Sequence, residues 1–218
     1  MIKKWSKMDF VSSSFRFTTP LPERGDLDLI SRPNSKMLDM GCGYGRTLRY
    51  LRENGFKNLT GIDISKDLVL AAREQCPEAR YFVGDFEKVK LDEKFDTIFL
   101  MAVIEYILTD KCQKIFFKKI SDSLNKDGGI FLETFTFDLR SNWKSYLSGF
   151  LKTGHWGILF NKLGIKCHHQ SARRLSKILS DNFKIIKSQK RKFSTWSGNV
   201  CNGHVFILKK EVVEKFFS

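Results

Sequence analysis

The stretch Met37-Leu38-Asp39-Met40-Gly41-Cys42-Gly43-Tyr44-Gly45-Arg46 decides the predicted fold of this chain. Three glycines alternate with single residues, directly after a short apolar run and directly before a helical pattern at 47–54. Glycine suits a turn whose backbone approaches a ligand, because it accepts positive φ and has no Cβ. Free backbone N–H groups at the start of the helix then point toward that ligand. The stretch therefore predicts a strand, a ligand-binding loop and a helix.

Acidic residues stand near the ends of two consecutive predicted strands. Asp39 lies two residues before the first glycine, and Asp63 ends the next apolar run at 59–63. An acidic side chain in the second position is placed to accept hydrogen bonds from ribose hydroxyls. A domain that binds NAD or a flavin is the alternative, but its fingerprint is G-x-G-x-x-G, whereas this loop reads G-x-G-x-G.

Five segments between residues 36 and 135 resemble motifs of the class I S-adenosylmethionine (SAM)-dependent methyltransferases, in particular the type 11/25 group. Residues 39–45 are similar to motif I, residues 61–65 to motif II, and residues 84–86 to the adenine-contacting loop. Residues 95–99 are similar to the fourth strand, and residues 124–129 to the turn before the fifth strand. The resemblance implies SAM as cofactor and S-adenosylhomocysteine as product. It places Asp63 at the ribose, Ile64 and Phe86 at the adenine faces, and Asp85 at the adenine amino group. We interpret Cys42 as a packing residue. The implied cofactor-binding residues are Asp39, Gly41, Cys42, Gly43, Gly45, Asp63, Ile64, Asp85, Phe86 and Met101.

Candidate catalytic residues come from two segments. Segment 101–107 resembles the family pattern V-L-E-H-V, with Glu105 matching and Tyr106 replacing the histidine. The Cys167-His168-His169 run offers imidazoles, whose pKa suits a general base near neutral pH, with a structural role as the alternative. Neighbouring residues rarely converge on one ion, so no zinc site is expected. The chain lacks the N-P-P-Y or D-P-P-Y and Pro-Cys motifs of DNA methylating enzymes. The candidates are His168, His169, Tyr106 and Glu105.

Alternating strand and helix patterns predict an α/β fold, a Rossmann-like doubly wound sheet of seven strands, mostly parallel with an antiparallel last strand. We expect one domain over 1–218, with residues 1–35 as an N-terminal lid or leader and 136–170 as an aromatic cap of short helices after strand five. A turn is expected at 196–199. Strands are predicted at 36–40, 58–63, 79–83, 95–100, 129–135, 183–193 and 205–209, and helices at 45–54, 65–76, 109–125 and 171–182.

Composition sets the frame for this fold. With 218 residues and 42% hydrophobic content, the chain can bury one sizeable core. It has no run of ~18 apolar residues, so no membrane span is expected. The N-terminus lacks the apolar stretch of a signal peptide, and the five cysteines are scattered and odd in number. We therefore expect a reduced, cytoplasmic protein.

The positive charge is concentrated in the last third of the chain. Residues 139–218 carry 16 Lys and Arg against 3 Asp and Glu. This indicates either a solvated lysine-rich surface or a docking face for an acidic partner such as RNA or a carrier protein. Alternation would place Lys184, Lys190 and Lys192 on one face of a strand, and Lys187 and Arg191 on the other. The candidate docking residues are these five together with Arg173 and Arg174.

The sequence thus predicts a methyltransferase that acts on an O or N atom of a small-molecule acceptor. One alternative acceptor is RNA or a carrier-protein-bound substrate on the basic third. A non-catalytic SAM-binding module is a weaker alternative. Positioning of two reactants can contribute ~7–11 kcal/mol to catalysis, so such an enzyme needs no fixed catalytic side chain.

Overall fold

The computed structural model describes residues 21–86, 88–161, 164–194 and 200–211. Most of the predicted lid, residues 1–20, and the predicted turn at 196–199 lie outside these ranges. The helices are α1 Arg24–Asp28, α2 Arg46–Glu53, α3 Lys66–Gln75, α4 Asp110–Ser123, α5 Leu139–Thr153 and α6 Ala172–Leu179, with a 3-10 turn at Ile104–Tyr106. The strands are β1 Met37–Met40, β2 Leu59–Asp63, β3 Arg80–Val83, β4 Phe95–Met101, β5 Leu124–Phe135, β6 Ile158–Phe160, β7 Lys166–His168, β8 Phe183–Ser194 and β9 Val200–Lys210.

A seven-stranded sheet forms the centre of the molecule, in the order β3-β2-β1-β4-β5-β9-β8. Strands β1 to β5 pair in parallel, and β9 runs antiparallel to both of its neighbours. Apolar side chains alternate between two cores: α4 and α6 cover one face, and α1, α2 and α3 cover the other. The predicted doubly wound sheet with an antiparallel last strand is confirmed. The carboxyl ends of β1, β2, β4 and β5 meet at one edge, where open α/β sheets bind ligands.

The cap after β5 differs from the predicted set of short helices. It consists of the 15-residue helix α5, kinked at Asn142, and the antiparallel hairpin β6–β7. Gly149 lets the hairpin lie directly on the helix, because a Cβ there would come within 1.9 Å of the Ile158 carbonyl oxygen. The aromatic content and glycine spacing predicted a cap, but this contact between helix and hairpin has no local signal in the sequence.

Strand β8 carries a bulge that alternation could not predict. Its register against β9 shifts between Ile185 and Lys187, so that Lys184 pairs with Lys209 and Lys187 pairs with Ile207. Lys209 and Ile207 are two residues apart on β9, so they and the residues paired with them lie on the same face of the sheet. The prediction that Lys184 shares a face with Lys190 and Lys192 was therefore wrong: Lys184 lies on the side of Lys187.

Two predicted docking residues instead hold the N-terminal helix. Asp26 of α1 is 1% exposed, and its carboxylate meets the Lys187 Nζ at 2.7 Å and the Arg191 guanidinium at 3.1 Å. The Thr97 hydroxyl also donates to the Ile30 carbonyl at 2.7 Å. Helix α1 is thereby fixed to the sheet by buried charge pairs.

In the part of the chain that the structure describes, no helix is both long enough and apolar enough to cross a membrane. Within the same ranges, no group of three or more His, Cys, Asp or Glu side chains is arranged to hold a metal ion.

Candidate active site

The glycine loop lies at the carboxyl end of β1 and is bonded to β2. The amides of Gly41 and Cys42 donate to the Ile62 carbonyl at 2.8 and 3.0 Å. Gly41, Gly43 and Gly45 all have positive φ. A Cβ on Gly45 would come within 3.0 Å of Ala72 on α3, whereas a Cβ on Gly43 would meet nothing within 4 Å. Gly45 therefore serves helix packing, and Gly43 borders open space where a ligand can approach.

The Asp63 carboxylate, at the end of β2, connects this loop to α3. Its Oδ2 accepts from the Gly43 amide and its Oδ1 from the Ser65 amide, both at 2.9 Å. Burial raises the pKa of Asp63, and these backbone hydrogen bonds oppose that shift. Each oxygen keeps a second lone pair, so the carboxylate can still accept hydrogen bonds from a ligand's hydroxyls.

Asp39 is a buried carboxyl beneath the same loop. It is 1% exposed, and among the described residues neither carboxylate oxygen has a hydrogen-bond partner of standard geometry. Burial raises its pKa to about 7, although the nearby Arg46 charge lowers it in part. An unpartnered buried carboxyl has a free energy cost that a cationic ligand group can offset.

The other residues implied for cofactor binding lie around this loop with different degrees of contact. Phe86 is half-buried and packs edge-to-face on Phe116, with ring centroids 6.1 Å apart. Cys42 packs beside Gly61, where a Cβ would come within 2.9 Å of its Sγ. Burial and the nearby carboxylates raise the pKa of the Cys42 thiol, which keeps it protonated, in agreement with a packing role. Ile64, Asp85 and Met101 are half-buried.

The backbone after β4 is strained next to the glycine loop. Ala102 has φ of 55°, a left-handed conformation that costs energy for a residue other than glycine. Its amide donates to the Glu133 carbonyl at 3.0 Å, which holds the chain against β5. Val103 then lies so close to Gly41 that a Cβ on that glycine would come within 2.7 Å of its Cγ2. No sequence pattern indicated this conformation.

Glu105 follows in the 3-10 turn and is buried beneath the cap. Its Oε1 accepts from the Phe135 amide at 2.7 Å, while Oε2 is buried with no hydrogen-bond partner among the described residues. Burial raises the Glu105 pKa to about 7, and the Phe135 hydrogen bond offsets part of that effect. A carboxyl with this pKa exchanges protons near neutral pH.

His169 lies on the other side of Phe135 and contacts the cap helix. Its ring stacks on Phe135 with centroids 5.6 Å apart, and its Nδ1 is 3.0 Å from the Tyr146 hydroxyl. Burial lowers the His169 pKa to about 4, so the ring is neutral at pH 7. The Tyr146 oxygen accepts from the Asp138 amide at 3.3 Å, and among the described residues His169 Nδ1 is the acceptor within reach of the Tyr146 hydroxyl proton. A buried O–H donates wherever an acceptor is in reach, so the His169 proton resides on Nε2.

The structure separates the two neighbouring histidines. His168 lines a cavity of about 580 Å³ together with Trp156, Asp110 and Arg174, away from Phe135. Tyr106 is half-buried beside Cys167 of β7, and burial raises its pKa well above the usual value. Glu105 and His169 thus both contact Phe135, whereas His168 lines a separate cavity. Tyr146 and Phe135 complete this cluster, and only their aromatic character in or next to the cap could have indicated them.

Comparison with known proteins bears on the family and the fold of this chain. A family model described as a methyltransferase domain matches residues 37–128. The crystal structure of a SAM-dependent methyltransferase from Methanosarcina mazei has a TM-score of 0.80 at 22% identity, over 88% of this chain and 100% of that chain. Residues 37–128 therefore match a methyltransferase domain, and the chain has the fold of a SAM-dependent methyltransferase, as the motifs indicated.

Two further similarities concern what related proteins act on. A malonyl-[acyl-carrier protein] O-methyltransferase of Serratia marcescens is 35% identical over 77 residues, which are 35% of this chain and 30% of that protein. A Burkholderia thailandensis 1,6-didemethyltoxoflavin-N1-methyltransferase was crystallised with 1,6-didemethyltoxoflavin and S-adenosylhomocysteine. It has a TM-score of 0.64 at 17% identity, over 87% of this chain and 78% of that chain. The chain spans less than half the length of the curated relatives it matches.

Proposed function

We propose that this protein binds SAM at the glycine loop and transfers its methyl group to an O or N atom of a small molecule. The unpartnered Asp39 carboxyl and the open space at Gly43 support the cofactor site. The amino-acid end of SAM, which carries an ammonium group, fits the loop above Asp39. Asp63 would accept hydrogen bonds from the ribose hydroxyls, and Ile64, Asp85, Phe86 and Met101 would surround the remainder.

The enclosed cluster on Phe135 is the observation that favours a small acceptor. Glu105 and His169 contact the backbone and the ring of this residue, and Tyr146 of the cap reaches the His169 ring. An acceptor bound between the cap and this cluster would be shielded from water and held in one orientation, which is how such enzymes accelerate transfer.

The main contribution of the protein to the reaction is to position the methyl donor and the acceptor. When bound, SAM supplies a methyl group on a positively charged sulfur, a reactive electrophile. Glu105, with its pKa of about 7, would take the proton of an acceptor that arrives as a hydroxyl or a protonated amine. His169 Nε2–H would donate a hydrogen bond that orients the acceptor. His168 has no part in this scheme, because it lines the cavity beside Trp156. Tyr106 has no assigned role in it.

A matched pair of glycine variants tests the cofactor site. Gly43 and Gly55 both have positive φ and empty space where a Cβ would lie, but Gly55 follows α2, away from the loop. Alanine at either position costs about 1–2 kcal/mol of folding stability from backbone strain. We expect Gly43→Ala to weaken SAM binding at least about tenfold in calorimetry, or ~1.4 kcal/mol, and Gly55→Ala to leave it unchanged.

Equal SAM affinity in the two variants would contradict the assignment of the loop. Tight SAM binding with no methyl transfer to any supplied O or N nucleophile would favour the alternative that the protein is a non-catalytic SAM-binding module.

A carrier-protein-bound acceptor is the second candidate. It is favoured by the name of the Serratia marcescens relative and by the basic last third of this chain. The two candidates differ in one measurement: methylation of a substrate linked to a carrier protein, compared with the same substrate free in solution. A strong preference for the linked form would favour the second candidate.

A further inference from the structure

The outer side of the cap helix carries a stripe of exposed apolar side chains. Leu139, Trp143, Leu147 and Leu151 follow one another at intervals of four residues, and they are 51, 52, 41 and 76% exposed. Trp156, directly after the helix, is 56% exposed and stacks on Phe150 at a centroid distance of 4.7 Å. Single exposed apolar residues are common, but an ordered row of leucine and tryptophan marks an interaction surface.

The side of the same helix that adjoins the stripe is buried. Tyr146 is fully buried against the Phe135 and His169 cluster, and Gly149 lies on the β6–β7 hairpin. Helix α5 therefore has one side packed on the domain and an apolar side directed outward. A helix that needs only to cover the acceptor site would expose polar residues there.

The chain segment that carries the stripe is rich in basic residues. Residues 139–180 contain eight Lys and Arg and no Asp or Glu. On α5, Arg140, Lys144 and Lys152 are exposed, and none of them forms a salt bridge within the described ranges. The Lys144 Nζ lies over the Trp143 ring, 5.6 Å from its centroid. Long basic side chains beside indole and leucine side chains are suited to a boundary between a polar and an apolar phase.

We propose that helix α5 docks the protein on an anionic lipid surface. Helices with a leucine and tryptophan face flanked by Lys and Arg lie in the plane of the membrane interface, with the apolar face among the acyl chains. Each basic side chain near an anionic surface adds to the attraction, and this attraction falls with salt. A second copy of this chain would carry the same positive charge on its own stripe, so like-charge repulsion disfavours it as the occupant. An acidic carrier protein matches the charge but offers no apolar phase for the stripe.

Docking in this orientation has a consequence for the acceptor site. Tyr146 of α5 contacts the His169 ring of the Phe135 cluster, and Trp143 and Leu147 lie within one helical turn of Tyr146, so at most the width of one helix, ~10 Å, separates the cluster from the lipid. An apolar acceptor dissolved in the bilayer would thus be concentrated next to the pocket. The docking itself depends on the surface of α5 and not on methyl transfer.

Vesicle cosedimentation of the full chain tests the proposal. The vesicles are phosphatidylcholine alone and phosphatidylcholine with about one third phosphatidylglycerol. The stripe variant is Leu147→Ser with Leu151→Ser. Its control is Leu70→Ser on α3 with Ile115→Ser on α4, which removes two leucine-sized side chains of similar exposure, 51 and 48%, elsewhere. Intrinsic tryptophan fluorescence is recorded alongside, because Trp143 lies in the stripe.

We expect the wild-type chain and the control variant to sediment with the anionic vesicles and show a blue shift of tryptophan emission. The stripe variant should bind at least about tenfold more weakly, and binding should fall with phosphatidylcholine alone or at high salt. SAM affinity, measured separately, should be the same in all three proteins, so failure of the docking proposal and of the proposed function are distinguishable.

Three results would overturn the proposal. The first is no sedimentation of the wild-type chain with anionic vesicles at low salt. The second is equal binding by the stripe and control variants, since the contact would then lie elsewhere. The third is a dimer of the wild-type chain that the stripe variant abolishes, together with no vesicle binding, which would make a second copy the occupant.

Discussion

At the scale of single residues, Asp39 links folding stability to cofactor binding. Its folded-state pKa of about 7 lies above the ordinary aspartate pKa of 3.8 because of burial. The unfolded state therefore ionises first as pH rises, and folding stability falls between about pH 4 and 7 and then levels off. By this linkage the cost at neutral pH is up to ~4 kcal/mol.

Asp39→Asn removes that charge. We expect it to raise the melting temperature at pH 7 relative to the wild type, with the difference vanishing near pH 4, and to weaken SAM binding because the ammonium group loses its carboxylate. Thermal melts across pH and calorimetry with SAM measure the two effects, with the exposed Asp92→Asn as control. A stability difference that does not change with pH would show that the Asp39 carboxyl is not buried as described.

At the scale of elements, α1 is attached to β8 by the buried Asp26 carboxylate and by the exposed Glu23 before the helix, which also pairs with Arg191. Asp26 is buried against Lys187 and Arg191, whereas Asp28 on the same helix forms an exposed pair with Arg24. Removing one partner of a buried charge pair leaves the other uncompensated, while exposed pairs contribute little.

Asp26→Asn should therefore lower the free energy of unfolding by roughly 2–4 kcal/mol, and Asp28→Asn by less than about 0.5 kcal/mol. Urea denaturation of the two variants measures the difference. Equal effects would indicate that the Asp26 ion pairs contribute little and that other contacts hold α1, such as the packing of Leu27 and Ile30.

At the scale of the whole molecule, the basic residues of the last third are divided between salt bridges and the two sides of strand β8. Lys187, Arg191 and Arg174 form salt bridges with carboxylates, and the β8 bulge places Lys184 on the side of Lys187. An RNA strand needs a continuous basic track, because its affinity grows with the number of phosphates neutralised.

We expect no measurable binding of a single-stranded or hairpin RNA at about 200 mM salt, and only weak, strongly salt-dependent binding at about 50 mM. Fluorescence anisotropy with labelled RNA checks this. Binding that persists at the higher salt would restore RNA as an acceptor.

Local patterns in the sequence determined the order of the elements, the glycine loop and the class of cofactor. Each of these features depends on a few neighbouring residues, so a single sequence contains a pattern that predicts it. The features are positive φ at Gly41, Gly43 and Gly45, the alternation of strand and helix, and the acidic residue that ends β2.

Only the tertiary structure decided which polar groups are buried and what they meet. Asp26 reaches Lys187 across 161 positions, and Glu105 reaches the Phe135 amide across 30. His168 and His169 are neighbours in the chain but face different spaces, because β7 pairs with β6 and packs under α5. Burial, pKa and side-chain direction arise from contacts between distant segments, and a single sequence carries no local signal for those contacts.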